Sequence, residues 1–263
     1  MAILLDGKKV AEAILRPVRQ QILDLKRKKI VPSVAIILVG EEPESLIYIR
    51  QKAKKAKEIG VRVKIFKLNE KTTGTEIEKL LKKLNEDTKI HGIMVQLPLP
   101  FHLNPDEILQ VIAPEKDVDG LTPNSQYPPA CAAGIMKILD FYRLSVKNKK
   151  VVILGYGRVV GRPLFKLMKE AGAKVSTADI KNLDAPRSAD VLVGALPIKD
   201  IIKPEMVQKG AVVIDAAKNV SVGVEKVAGY LTPKIGGVGP VTVAMLLKNV
   251  VEASQRQQSK QGS

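Results

Sequence analysis

The stretch that most constrains this chain is Val151–Pro163, Val-Val-Ile-Leu-Gly-Tyr-Gly-Arg-Val-Val-Gly-Arg-Pro. Four apolar residues run into Gly155, Gly157 and Gly161, and a helical pattern follows with Leu164, Leu167 and Met168 on one face. The pattern predicts a strand, a tight turn and a helix start, the arrangement that holds a dinucleotide pyrophosphate. Glycines let the backbone turn sharply and approach the phosphates, and a helix N-terminus offers free N–H groups with partial positive charge. The spacing is G-x-G-x-x-x-G rather than G-x-G-x-x-G, so the turn alone also admits a plain strand-to-helix connection with incidental glycines.

The residues before this turn alternate strands with helices. Ile3–Leu5 reads as a short strand, and Asp6 is placed to cap the helix that carries Val10, Ile14, Val18, Ile22 and Leu25. The apolar run Val34–Val39 reads as a strand buried on both faces. A helix over Ser45–Ile59 stops at Gly60, a strand spans Val61–Leu68, a helix Thr75–Leu84, a strand Gly92–Leu97 and a short helix Pro105–Ile112. This β-α-β-α-β-α-β-α order predicts a parallel sheet covered by helices. After a bridging helix (Gly134–Leu144), a second block begins at Lys149–Leu154, with further strands at Lys174–Ala178, Asp190–Ala195 and Ala211–Ala216. The helix Pro240–Ala253 is apolar enough to need another surface to cover it, and Ser254–Ser263 reads as a polar, frayed tail. The fold class is therefore α/β in two domains.

Composition removes several function classes. One cysteine, Cys131, excludes an internal disulfide and fits a reducing compartment, with cytoplasm as the expectation. No apolar run spans a bilayer, and the N-terminus lacks the pattern of a secretory signal. Two histidines, His91 and His102, leave little for a metal site, so none is expected. The net charge of +16 invites a nucleic-acid reading, but the lysines are spread along the chain and aromatic residues make up only 3%, a poor basis for stacking on bases. The charge reads instead as solvated helix faces, or as a field that attracts an anionic small substrate.

Sites in open α/β sheets lie beyond the carboxyl ends of the strands. Three features of the first block fall there. Ser45, Tyr48 and Lys52 share one face of their helix, so a ring for stacking a planar ligand lies beside an ammonium suited to proton transfer. Gln96 ends an apolar strand and needs a partner, either a ligand, Lys52 or the backbone of its own turn. Asp119, before Gly120, is either a turn residue or an acceptor for an amino-pyrimidine edge.

Together these features resemble the methylenetetrahydrofolate dehydrogenase/cyclohydrolase family, the bifunctional FolD-type enzymes. The likeness covers nearly the whole chain and rests on Ser45-Leu-Ile-Tyr-Ile-Arg-Gln-Lys52, Val95-Gln-Leu-Pro-Leu-Pro100, Lys116-Asp-Val-Asp-Gly120, Val160-Gly-Arg-Pro163, Val213-Ile-Asp215 and Gly236-Gly-Val-Gly-Pro-Val-Thr242. The resemblance implies a folate-binding catalytic domain over residues 1–121, completed by a C-terminal helix over 241–256, and a Rossmann-like dinucleotide-binding domain over 146–238. It implies that Tyr48 packs on the pterin, that Lys52 is the principal catalytic group, that Gln96 interacts with Lys52 and that Asp119 anchors the pterin. Ser45, Gly236, Gly237 and Pro240 join the substrate contacts by the same likeness. Gly155, Tyr156, Gly157, Arg158, Val160, Gly161 and Asp179 fall on the cofactor side. The implied activity is oxidation of 5,10-methylenetetrahydrofolate to the methenyl form, then hydrolysis to 10-formyltetrahydrofolate. A homodimer is implied as well, and the anionic glutamate tail of folate suits the positive field.

The cofactor half departs from the family pattern. Where the family turn reads G-R-S-x-x-V-G-x-P, this chain has Tyr156 and Gly157 in place of Arg and Ser. Asp179 stands 24 positions after Gly155, near where an acid meets a ribose 2′-OH in NAD binders. These two changes favour NAD over NADP, although Arg158 and Lys181 are candidates to hold a 2′-phosphate. The Pro129–Gly134 and Thr232–Pro240 loops also differ from the family pattern, the latter with Lys234 and Ile235 after Thr232-Pro233. Three rival readings stand beside this one: a monofunctional dehydrogenase of the family, a cofactor-sensing or nucleic-acid-binding protein on the same fold, and a short-chain dehydrogenase. The last also uses Tyr-x-x-x-Lys, but there the motif follows the glycine turn, whereas Tyr48 precedes Gly155 by more than a hundred residues.

Overall fold

A computed structural model describes residues 1–261. The chain forms two compact units, one from Leu15–Ala130 with the residues from Leu246 on, the other from Met1–Ile14 with Cys131–Met245. Two long helices, α1 (Gly7–Arg27) and α7 (Val238–Gln261), each contribute to both units.

The first unit is built on β2 (Ser33–Val39), β3 (Arg62–Leu68) and β4 (Gly92–Val95), in the all-parallel order β3-β2-β4. Every residue of β2 is buried, as the unbroken apolar run predicts for a central parallel strand. One face of the sheet, with Ala35, Ile37, Ile93 and Val95, packs on Ile77, Leu81 and Leu84 of α3 (Gly74–Glu86) and on Ile108 and Leu109 of α4 (Pro105–Gln110). Each of the buried valine, leucine and isoleucine side chains among these stabilises the unit by roughly 1.5–3 kcal/mol. Thr73 and Glu76 close a capping box at the start of α3. Helix α2 (Pro43–Ile59) connects β2 to β3, capped by the Glu42 carboxylate at its start and by Gly60 in the left-handed region, φ 91°, at its end.

The second unit carries a six-stranded parallel sheet, β1-β9-β8-β7-β5-β6. Its strands are β1 (Ile3–Leu4), β5 (Lys150–Leu154), β6 (Lys174–Ala178), β7 (Val191–Gly194), β8 (Val212–Asp215) and β9 (Tyr230–Leu231). Helices α5 (Ala130–Phe141) and α6 (Gly161–Glu170) belong to the same unit. Leu164 and Met168 of α6 bury against Val151 and Ile153 of β5 in one core cluster.

The structure corrects the sequence reading for Ile3–Leu4 and for the C-terminal tail. Ile3–Leu4 does not join the first block's sheet; it pairs in parallel with β9, through Ile3 with Tyr230 and Leu4 with Leu231. A two-residue strand has too little pattern to choose its sheet, and β9 was not visible as a strand at all. The expected frayed tail is helical through Gln261, with Ser254 buried and its Oγ on Val251 O, and Gly262 and Ser263 lie outside the described residues. By packing, residues 1–14 and 131–145 group with the six-stranded sheet.

Candidate active site

Lys52 lies on α2 about two turns past Ser45, on the face turned to β4. Its Nζ lies 3.0 Å from Gln96 Oε1 and 3.4 Å from Met94 Sδ. Residues 94 and 96 are two apart on an extended segment, so their side chains leave the same side and meet one lysine. Gln96 is only 7% exposed, and its N–H donates to Ile37 O, which continues the β2–β4 ladder past the end of β4. The Gln96 Nε2 donates to Leu97 O at 2.7 Å. That bond spends the amide nitrogen on the backbone and turns the amide oxygen to Lys52. The cis Leu97–Pro98 peptide follows at once. Of the partners the sequence left open for Gln96, the structure selects both Lys52 and the backbone.

Asp119 sits in the turn after a one-residue bridge between Asp117 and Ile93, at the margin of β4. The residue is half-buried. Desolvation of its carboxyl pushes the pKa up to about 6, against the pull of the Lys52 charge and with a further push from Asp117. Lys52 and Asp119 therefore sense each other, although they come from opposite ends of the unit's sequence. Asp117 has a different task. It is buried, and its carboxylate accepts from Gly120 N, Thr122 N and Thr122 Oγ1, which shapes the loop. Lys116 is also spoken for: its Nζ donates to Leu84 O and Asp87 O at the end of α3, and burial lowers its pKa.

Tyr48 stands on α2 with 40% of its surface exposed, a ring free of packing across much of its area. Ser45 is buried at the start of the same helix, where its N–H donates to Glu42 Oε2. Tyr48, Lys52, Gln96 and Asp119 thus gather in one unit. Gly236, Gly237 and Pro240 belong to the other, around the start of α7. Gly236 takes φ 86°, and a Cβ on Gly237 would lie 2.4 Å from Pro233 O, so both glycines are required by their own turn.

The glycine turn has the geometry its spacing leaves open. Gly155 has φ 107°, and a Cβ there would lie 2.8 Å from the backbone of Ala195 at the end of β7. A Cβ on Gly161 would lie 2.2 Å from Gly155 O, so this glycine lets α6 close on the end of β5. Gly157 meets nothing within 4 Å, which leaves its backbone open to a phosphate. No side chain caps the start of α6, after Val160; Arg162 N–H donates to Gly157 O and Pro163 has no N–H, so no side chain blocks the Gly161 end of the turn. These features fit a dinucleotide pyrophosphate. Tyr156 packs edge-on against Phe165 with Arg162 over its ring, and Arg158 is half-buried. Asp179 is exposed just past β6, where its Oδ1 accepts from Lys181 N at 2.8 Å.

Two buried asparagines went unnoticed in the sequence. Asn219 accepts from Leu196 N and donates to Leu196 O and Ile198 O, tying together the loops after β7 and β8. Asn249 of α7 donates to Val118 O and Pro128 O. Each bonds across more than twenty residues of sequence, so neither has a local signal. Among the described residues, no group of three or more His, Cys, Asp and Glu is placed to hold a metal ion, and no helix is long and apolar enough to cross a membrane.

A parallel α/β unit with a lysine–glutamine pair at its strand ends, joined to a sheet with a dinucleotide-type glycine turn, defines a two-domain nucleotide-cofactor enzyme. The chain belongs to the tetrahydrofolate dehydrogenase/cyclohydrolase family: residues 5–119 match the family's catalytic domain and residues 129–258 its NAD(P)-binding domain. The bifunctional protein FolD of Moorella thermoacetica is 38% identical, over 96% of this chain and 99% of its own. The crystal structure of the Campylobacter jejuni FolD methylenetetrahydrofolate dehydrogenase/cyclohydrolase superposes with a TM-score of 0.91 at 37% identity, covering 97% of this chain and 99% of that one. The Trypanosoma brucei FolD, solved with NADP and an inhibitor, gives the same TM-score at 32% identity, covering 97% and 98%.

Proposed function

We propose that the chain oxidises 5,10-methylenetetrahydrofolate to 5,10-methenyltetrahydrofolate with NAD(P) and hydrolyses the product to 10-formyltetrahydrofolate, a step of one-carbon metabolism. The observation that carries the reading is the 3.0 Å Lys52–Gln96 contact beside Asp119. Tyr48 offers its exposed ring to the pterin, and Asp119 in its ionised form accepts from the amino-pyrimidine edge. Gly155, Gly157, Arg158, Val160 and Gly161 would hold the dinucleotide, whose nicotinamide takes the hydride when bound. The methenyl carbon is cationic and attracts water unaided, so the protein supplies position and proton transfer. In its neutral form Lys52 Nζ takes a proton from the attacking water, and the ammonium so formed returns one to the ring nitrogen that leaves. Gln96, fixed by Leu97 O, holds that amine in line through both transfers. The presence of this pair favours the bifunctional enzyme over a monofunctional dehydrogenase.

NAD is the preferred cofactor in this reading. Asp179 at the end of β6 is placed to accept from a ribose 2′-OH and repels a 2′-phosphate by roughly a few kcal/mol at intermediate dielectric. Tyr156 occupies the position of the family's arginine. The enzyme acts in the cytoplasm as a homodimer; the open edge of β3, with Ile65 at 40% exposure, offers a surface for the second copy. One assay tests the function: methylenetetrahydrofolate is supplied with NAD and then with NADP, and reduced cofactor and methenyl product are followed by absorbance. Turnover is expected with both, faster with NAD. No reduction with either cofactor would remove the dehydrogenase reading.

A further inference from the structure

We infer that Asn249, on the C-terminal helix α7, is the positioning residue for Asp119. The inference rests on the folate reading above and adds to it a residue remote in sequence. Asn249 is fully buried, and its Nδ2 donates to two carbonyls, Val118 O at 2.9 Å and Pro128 O at 3.0 Å. These two carbonyls flank Asp119 in space. Val118 precedes it directly. Pro128 packs on the residue that follows it: a Cβ on Gly120 would lie 2.6 Å from the Pro128 carbonyl carbon. One side-chain amide thus closes the loop on both sides of the carboxylate.

The rest of the loop is fixed from other directions. Val118 fills the space that the missing Cβ of Gly92 leaves, at 2.5 Å from its ideal position. Asp119 O accepts from Ala130 N at 3.0 Å. Farther along α7, Arg256 lies over the Tyr127 ring and donates to Gln126 O, and Gln257 donates to His91 O beside β4. Asn249 is the buried member of this set. Its Oδ1 has no hydrogen-bond partner, the one such buried side-chain atom among the described residues. A buried amide that leaves its acceptor unpaired is explained by what its donors do. A leucine would fill the same space without that penalty and without the ties.

The test compares wild type with Asn249→Leu and Asn249→Ala by thermal melting and by separate KM values for methylenetetrahydrofolate and for the cofactor. The clamp predicts that KM for the folate rises about tenfold or more in a folded variant, while KM for the cofactor stays within about twofold. A folded Asn249→Leu enzyme with an unchanged folate KM would overturn the inference, whatever its melting temperature. If neither variant folds, hydrogen exchange on the wild type decides: the Ala130 amide, held by Asp119 O, should exchange as slowly as the amides around Asn249, and fast exchange there would overturn the clamp. A wild type with no activity on the folate would strike the functional reading and leave the exchange result to judge the clamp.

Discussion

At the scale of single residues, Lys52 and Gln96 meet because β4 and the extended residue after it present positions 94 and 96 on one side and α2 presents Lys52 opposite them. Replacing Gln96 with leucine removes the acceptor that aims the amine, and the cyclohydrolase rate is expected to fall about 10²-fold, read from loss of methenyl absorbance. Asp119 carries an opposite pair of effects. Its folded pKa, about 6, lies above the ordinary 3.8, so the folded state binds a proton more readily than the unfolded chain between those values. Stability therefore falls as pH rises from 4 to 6, and the ionised carboxylate remains a cost above that. Asp119→Asn should raise the unfolding free energy at pH 7.5 by on the order of 2 kcal/mol after allowance for partial exposure, seen as a higher melting temperature, and should raise KM for the folate. In the wild type, folate KM should climb as pH drops through 6. That Tyr48, Lys52, Gln96 and Asp119 would fall in one unit was legible in the sequence, because each stands at a strand end or on one helical face; their roles came from the family resemblance. Met94 and Asn249 were not legible, since their partners are remote and their own neighbourhoods are plain apolar runs.

At the scale of elements, the glycine turn separates two functions that the sequence merges. Gly161 is steric: alanine there would press a Cβ onto Gly155 O, and α6 must shift from β5. Gly161→Ala is expected to destabilise the dinucleotide unit by about 1–3 kcal/mol in denaturant melts and to weaken cofactor binding. Gly157 meets nothing within 4 Å and is not in the left-handed region, so Gly157→Ala should melt like wild type yet bind NAD(P) more weakly by calorimetry. Equal stability loss in both variants would contradict this division. The strands and helices themselves were largely readable, because β2 and β5 are continuous apolar runs and α6 carries its buried residues at helical spacing. The misses were elements with little pattern. Strands β1 and β9 have two residues each, and the polar end of α7 reads as a tail because its contacts are hydrogen bonds by Ser254, Arg256 and Gln257.

At the scale of the whole molecule, the charge of +16 suits the anionic folate of the proposed function. A positive field speeds the encounter with an anionic folate and is screened by salt. Raising ionic strength should lower kcat/KM for the folate while kcat changes little, in a steady-state salt series. The two-unit organisation was legible from the break between the blocks, whereas the return of residues 1–14 to the second unit was not, because it depends on which sheet edge accepts β1. Cofactor choice belongs to this scale too, since it rests on β6 placing Asp179 away from the chemistry: Asp179→Ser with Tyr156→Arg should shift the NADP/NAD ratio of kcat/KM toward NADP. The account as a whole depends on Lys52. The most direct test is the hydrolysis of methenyltetrahydrofolate, without cofactor, by wild type and by a folded Lys52→Met variant. The account predicts a rate about 10²–10⁴-fold lower in the variant; an unchanged rate would contradict it.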